Sequence, residues 1–364
     1  MEQDSKARNF ITTRRGRGTG ENPTGRFEKQ GGERAPDYWT ELYEDAEEGM
    51  RVETQTFIDP SRSIVSTNDS PDVGMEASVN PYRGCEHGCI YCFARPTHEY
   101  LGLSAGLDFE TKIYMKPRAP ELLAEKLSSK SWEPKVLMLS GVTDCYQPLE
   151  KKMQITRGCF QVLRDFRNPA AIVTKNALVA RDGDIFEEMA AYDCISVNLS
   201  VTTLDGHLSR IMEPRASQPH LRLRAIEALS KRGVPVGVMI GPVVPGLTDY
   251  EIPAILKACA DAGAVGANYT MLRLPYGVKD LFSTWLEQHF PEKKDKVLGY
   301  VRGVRDGKLN SAAFGERMRG TGVYAAQIAG IFALYKKKYG LNRRKALTTE
   351  HFRRNARDEQ MSLF

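Results

Sequence analysis

Residues 80–96 read NPYRGCEHGCIYCFARP and hold three of the chain's seven cysteines, Cys85, Cys89 and Cys92. They are separated by three and then two residues, and a loop this tight turns three sulfurs toward one point. The other four, Cys145, Cys159, Cys194 and Cys259, are scattered through apolar or amphipathic segments. An odd, dispersed set is no disulfide framework, so reduced thiols and a metal centre are expected.

The flanking sequence places this loop in a fold. SVNPYRG (78–84) is strand-like and leads into the cysteines. KVLMLSG (135–141), AIVTK (171–175), CISVNLS (194–200), VPVGVMIG (234–241) and AVGANYTML (264–272) follow as further apolar runs. Amphipathic helical patterns separate them at 119–130, 153–166, 182–192, 221–233 and 249–263. Pro253 is expected in the first turn of its helix, where no backbone bond is lost. Strand and helix in alternation predict a parallel sheet with right-handed crossovers, an α/β partial (β/α)₆ TIM-like barrel. Its functional residues should follow the strands, at their carboxyl ends. Residues 278–346 read as helical and are expected to cover the barrel.

Three metal readings fit the triplet. A structural zinc site would need a fourth ligand, which His87 or His98 could supply as Cys₃His. A ferredoxin-like electron carrier would need a fourth thiolate, with Cys145 the candidate. In the third reading the missing ligand leaves one iron of a cube open to a small molecule, as catalytic metal sites do.

CEHGCIYC, with Tyr91 immediately before the third cysteine, resembles the signature of the radical S-adenosylmethionine (SAM) superfamily. The longer string NPYRGCEHGCIYCFARPTHEY is similar to the branch containing spore photoproduct lyase and uncharacterised related proteins, over about residues 78–274. The resemblance implies one [4Fe–4S] cluster on Cys85, Cys89 and Cys92, whose open iron SAM chelates. It also implies reductive cleavage to methionine and a 5′-deoxyadenosyl radical that acts on a substrate. A cluster of this kind reaches potentials down to about −700 mV, and with no second cysteine cluster to relay electrons, flavodoxin or ferredoxin is the expected donor. A second family chemistry, methyl transfer from SAM, would leave S-adenosylhomocysteine instead.

The resemblance, together with the chemistry of the residues at the strand ends, suggests the SAM contacts. Many family members carry a Gly-Gly-Glu-like motif after the second strand, which binds the methionine amine. This chain has Gly141, Val142, Thr143 and Asp144 there, so Thr143 and Asp144 are the expected partners of the amine. Lys175 matches a lysine near the SAM carboxylate, its alternative being an exposed lysine at a strand end. Ser196, Asn198 and Ser200 alternate on one face of a strand, and three inward polar residues call for polar cavity contents such as ribose hydroxyls. Glu213 and Arg215 could grip carboxylate and ribose or form a surface ion pair. GPVVPG (241–246) could approach adenine or be a simple turn. In the photoproduct lyase branch a cysteine near the second strand's end returns hydrogen to the product radical. Its place falls a few residues before Cys145, which is therefore either that donor or a small core residue.

Composition bounds the rest. At 364 residues, 41% apolar and net charge +5, with no long apolar run or leader pattern, a cytoplasmic protein without a membrane span is expected. The expected divisions are a polar, Gly/Arg-rich arm over 1–74, the barrel over 75–310 and a helical extension with tail over 311–364. YKKKYGLNRRK (335–345) either contacts nucleic acid or complements a helix C-terminus. QMSLF (360–364) looks like the peptide by which bacterial polymerases and repair proteins dock on the sliding clamp, with packing on the protein's own surface the alternative.

Overall fold

The computed structural model describes residues 16–27 and 52–354. The Gln360–Phe364 peptide and most of the arm lie outside them.

Among the described residues the main sheet has seven strands in the order β10-β9-β8-β7-β6-β3-β2. Six are parallel: β3 (Ala77–Val79), β6 (Leu137–Leu139), β7 (Ala170–Thr174), β8 (Ile195–Ser200), β9 (Val236–Val243) and β10 (Gly266–Met271). They are the six predicted strands, joined in chain order through helices, as in a partial barrel. β2 (Val65–Thr67) adds an antiparallel edge to β3.

The helices form where predicted because their apolar spacing matches the outer face of this sheet. Helix Ile155–Phe166 buries Ile155, Cys159, Phe160, Leu163 and Phe166, one stripe at helical spacing. Phe160 meets Phe186 of the next helix edge to face at 4.8 Å. Pro253 sits in the first turn of Ile252–Asp261. The 278–346 region resolves into helices Val278–His289, Lys294–Gly303 and Gly322–Lys338.

The predicted strand over 78–84 is two strands. Pro81 cannot donate to a ladder, and past it β4 (Tyr82–Arg83) leaves the main sheet. It joins a small sheet with β5 (Lys112–Met115) and β1 (Gln55–Ile58) in the order β1-β5-β4. This turn away from the barrel carries the cysteine loop across its mouth.

The sheet does not close on itself, and both halves of β10's outer edge are covered by irregular chain. Ala267 N–H donates to Leu341 O, and Arg343 N–H to Val265 O. Met271 N–H donates to Met318 O, and Arg319 Nη1 to Tyr269 O at 2.8 Å. The segment 313–320 also grips the β2–β3 turn: Gly315 N–H donates to Asp72 Oδ1 at 2.7 Å, and Arg317 pairs with Asp72 at 2.5 Å. It is a clasp across the gap of the barrel, protecting an edge that would otherwise pair with another chain.

The inner face carries polar groups and is incompletely buried along β9 and β10. On β9 and β10 the incompletely buried residues Met239, Gly241, Asn268 and Thr270 alternate with buried ones. Register places Asn198 beside Gly237, Ser200 beside Met239, and Met239 beside Asn268. Ser196, Asn198 and Ser200 therefore line this lumen. Among the described residues no helix is long and apolar enough to cross a membrane.

Candidate functional site

The loop from Gly84 to Cys92 is shaped by backbone constraints that only two glycines meet. Gly84 and Gly88 have φ of +79° and +66°, and a Cβ on Gly88 would lie 2.6 Å from Glu110 Oε2. The loop brings Cys85, Cys89 and Cys92 into mutual electrostatic contact. Burial, then neighbouring negative groups, pushes the Cys85 and Cys89 thiols up, and burial pushes up Cys92. Against that, backbone N–H groups of His87 and of Ala94 and Arg95 bond to Cys85 and Cys92, and the Lys175 cation acts on Cys89 and Cys92. The surroundings thus include groups that favour thiolates, the form that binds metal.

A charged frame holds the loop from behind. Arg95 is fully buried and uses all three guanidinium nitrogens: Nε donates to Cys89 O, Nη1 to Ala105 O and Gly106 O, and Nη2 to Gly88 O. Its Nη2 also pairs with buried Glu110 at 2.5 Å. Glu110 in turn accepts Gly18 N–H at 2.8 Å, so the strap of residues 16–27 seats directly on the loop. Glu86 accepts Leu149 N–H and the Thr54 hydroxyl, each at 2.6 Å, and pairs with Arg215 at 3.0 Å.

The predicted SAM contacts fall into two groups. Asp144, Thr143, Glu213 and Arg215 are already engaged by protein. Asp144 Oδ1 accepts Thr174 Oγ1 at 2.7 Å and Tyr146 N–H at 2.9 Å, while Oδ2 accepts Lys175 N–H at 2.8 Å and faces His87 Nδ1 at 3.3 Å. Four donors saturate a carboxylate. Burial alone would raise its pKa, but His87 and these hydrogen bonds bring it to about 2. Thr143 Oγ1 donates to Tyr82 O at 2.8 Å. Glu213, 1% exposed, accepts from Tyr91 OH, from Thr202 Oγ1 at 2.7 Å and from buried Arg222. Burial opposes its charge, yet Arg222, Lys175 and Tyr91 hold it near 2. Glu213 is thus held beneath Tyr91, and Arg215 pairs with Glu86, an arrangement that matches the ion-pair alternative for Arg215. Asp144 and Thr143 likewise brace the mouth through these bonds.

The second group faces the lumen. Lys175 Nζ crosses from β7 to Gly241 O at 3.0 Å and lies 5.7 Å from the Tyr91 ring centroid. Gly141 is partly exposed, beside Ser78 and Asn80. Ser196 Oγ is buried without a hydrogen-bond partner among the described residues, and Asn198 Nδ2 donates to Ile172 O at 3.0 Å. Ser200 is buried, and its carbonyl accepts Arg222 Nη1 at 2.9 Å.

Cys145 belongs to neither group. It is fully buried in the principal hydrophobic core, where burial pushes its thiol up, which is the small-core-residue alternative. His87 has both ring nitrogens engaged, Nδ1 facing Asp144, whereas His98 Nδ1 is buried without a hydrogen-bond partner among the described residues. His87 Nε2 meets Asn176 Nδ2 at 3.3 Å, and His98 Nε2 meets Lys112 O at 2.9 Å. Among the described residues no three His, Cys, Asp or Glu side chains converge closely enough to hold a single ion.

Sequence reasoning missed Glu86, Arg95, Glu110, Thr202 and Arg222. Only Arg95 and Glu86 lie in the cysteine stretch, where a charged residue in an otherwise buried loop was the available signal.

Comparison with known proteins agrees with this geometry. The Radical SAM superfamily model matches residues 79–259. An uncharacterized protein of Mycobacterium tuberculosis is 36% identical over 261 residues, 71% of this chain and 74% of the relative. One of Methanocaldococcus jannaschii is 28% identical over 225 residues, 62% of this chain and 80% of the relative. Among solved structures, spore photoproduct lyase complexed with dinucleoside spore photoproduct superposes with TM-score 0.54 at 14% identity, covering 79% of each chain. That likeness is one of fold. With the three-thiol loop at the mouth of a parallel partial barrel, these matches mean that the chain belongs to the radical SAM superfamily.

Proposed function

We propose that this chain is an enzyme that holds a [4Fe–4S] cluster on Cys85, Cys89 and Cys92 and cleaves SAM reductively to act on a substrate in the lumen. The observation that carries the reading is a loop that brings three thiols together at the mouth of a polar lumen, Cys85 and Cys89 buried and Cys92 partly so, with the Lys175 cation acting on Cys89 and Cys92. A three-ligand donor set suits a cluster with one corner open to a small molecule. When bound, the cluster supplies one electron to SAM, giving methionine and a 5′-deoxyadenosyl radical that takes a hydrogen atom.

The chain's own residues bind, orient and exclude water. Arg95 and Glu110 fix the loop. Asp144 and Glu213 hold the backbone of Lys175 and the ring of Tyr91 in place. Lys175 is the cation available to a SAM carboxylate, and Gly141, Ser196, Asn198 and Ser200 are the lumen groups available to a polar nucleoside. Ser196 Oγ, buried and unpartnered, supports that fit, because such a group is costly without a ligand or water. A flavodoxin or ferredoxin delivers the electron. A nucleic-acid substrate and docking of Gln360–Phe364 on a sliding clamp are the partner readings that the sequence suggests.

Anaerobic purification followed by reduction with dithionite and SAM tests this. Brown protein that forms 5′-deoxyadenosine is expected, with Cys89→Ala reducing the product to background. Colourless, zinc-containing protein would overturn the reading, and S-adenosylhomocysteine would redirect it to methyl transfer.

A further inference from the structure

Arg273 lies two residues past β10, at the carboxyl end of the barrel, and its environment is unusual for a guanidinium. Among the described residues it forms no ion pair. Its one hydrogen bond runs from Nη1 to the Met318 sulfur of the clasp at 3.4 Å, a weak acceptor. Its Nε is buried with no partner. Its cation lies 5.5 Å from the ring centroid of Phe93, which follows Cys92 and is 51% exposed. Arg273 therefore stands between the cysteine loop, through Phe93, and the clasp, through Met318.

The charges around it do not balance. Arg317 and Arg305 both act on Arg273 or feel it, and the carboxylate within electrostatic reach is Asp72. Asp72 is taken up by Arg317 and by Gly315 N–H. Arg305 spends its Nη groups on the carbonyls of Met271, Leu272 and Glu316. Three guanidinium groups thus share one acid, and the one nearest the cysteine loop has no oxygen acceptor. Burial, then Arg317, disfavours the Arg273 charge. A bound anion would relieve both, because a planar guanidinium takes a carboxylate or phosphate in paired hydrogen bonds.

We propose that Arg273, in the field of Arg305 and Arg317, is the binding site for an anionic oxygen group, a phosphate or a carboxylate, carried by the substrate. This rests on the reading that the substrate works beside the cysteine loop. Phe93, half-exposed and within cation–π reach of Arg273, gives the rest of the substrate an aromatic surface to meet as its charge is neutralised.

The test uses full-length, anaerobically reconstituted protein titrated calorimetrically with inorganic phosphate and, separately, with acetate, at fixed ionic strength. One saturable site for at least one anion is expected. Arg273→Gln should weaken it tenfold or more, Arg273→Lys less, and Arg317→Gln should weaken it by freeing Asp72 to compete. The exposed-surface variant Arg118→Gln should leave it unchanged. Preference for phosphate identifies a phosphorylated substrate, and preference for acetate a carboxylate. Equal affinity in wild type and Arg273→Gln, or no saturable site, overturns the proposal. Cluster absorbance is recorded on the same samples: colourless protein with an Arg273-dependent site defeats the cofactor reading alone, and brown protein without one defeats this inference alone.

Discussion

On the β6–β8 side of the barrel mouth, Asp144 has two donors on each oxygen and Glu213 is held by Tyr91, Thr202 and Arg222. Across the mouth, beyond β10, Arg273 has a sulfur for its sole hydrogen-bond partner among the described residues. The first side is electrostatically complete before any ligand arrives. The second is not. Completed networks rigidify what they touch, and here they touch the cysteine loop and the backbone of Lys175. An incomplete one marks where something from outside finishes the bonding. The mouth therefore divides into a wall that fixes cofactor-facing groups and a wall that receives.

The contrast can be broken by substitution. The largest effect is expected from Glu110→Ala, which strands the fully buried Arg95 charge behind the loop. Removing one partner of such a pair costs about 3–5 kcal/mol, read as a lower urea midpoint, and iron content should fall with it. Survival of both would mean that the frame is dispensable.

Glu213→Gln should follow at about 3 kcal/mol, since Arg222 loses its partner, and it adds a pH signature. The folded pKa of Glu213 is depressed from 4.5 to about 2. Its contribution is therefore fully present above pH 4.5 and is lost as pH falls toward 2. Acid titration of stability should lose part of its slope in that window in the variant. An unchanged slope would show that the Tyr91–Glu213–Arg222 network contributes nothing to folding.

The smallest effect belongs to the other wall. Arg273→Gln removes a charge without an ion-pair partner, and stability should move by no more than about 0.5 kcal/mol, even as anion affinity falls. A large loss would place Arg273 in the structural frame and erase the distinction between the walls.

Much of this was legible in the sequence. The six parallel strands followed from apolar runs set between amphipathic helical patterns, and the cysteine spacing pointed to the mouth. What stayed hidden depended on tertiary contact. β1, β2 and β5 are three or four residues long, too short for a period to show, and β1 is exposed throughout. Asp144, Glu213 and Arg215 were expected at the site, but a sequence does not reveal that Lys175 N–H, Arg222 and Glu86 are their protein partners. The Gly-rich composition of the arm does not show where it attaches, because its contacts run from backbone to carboxylate, as at Gly18 and Glu110.

That strap has a practical bearing on where this protein can be cut. Gly18 lies so near the cysteine loop that a Cβ there would fall 1.8 Å from Gly88 O, and Leu107 N–H donates to Glu21 O. A fragment started at β3 would keep every thiol and lose the outer brace against which their loop is pressed. A unit that keeps this brace is longer than the barrel suggests, and a shortened chain meant to preserve the loop should begin upstream of residue 16.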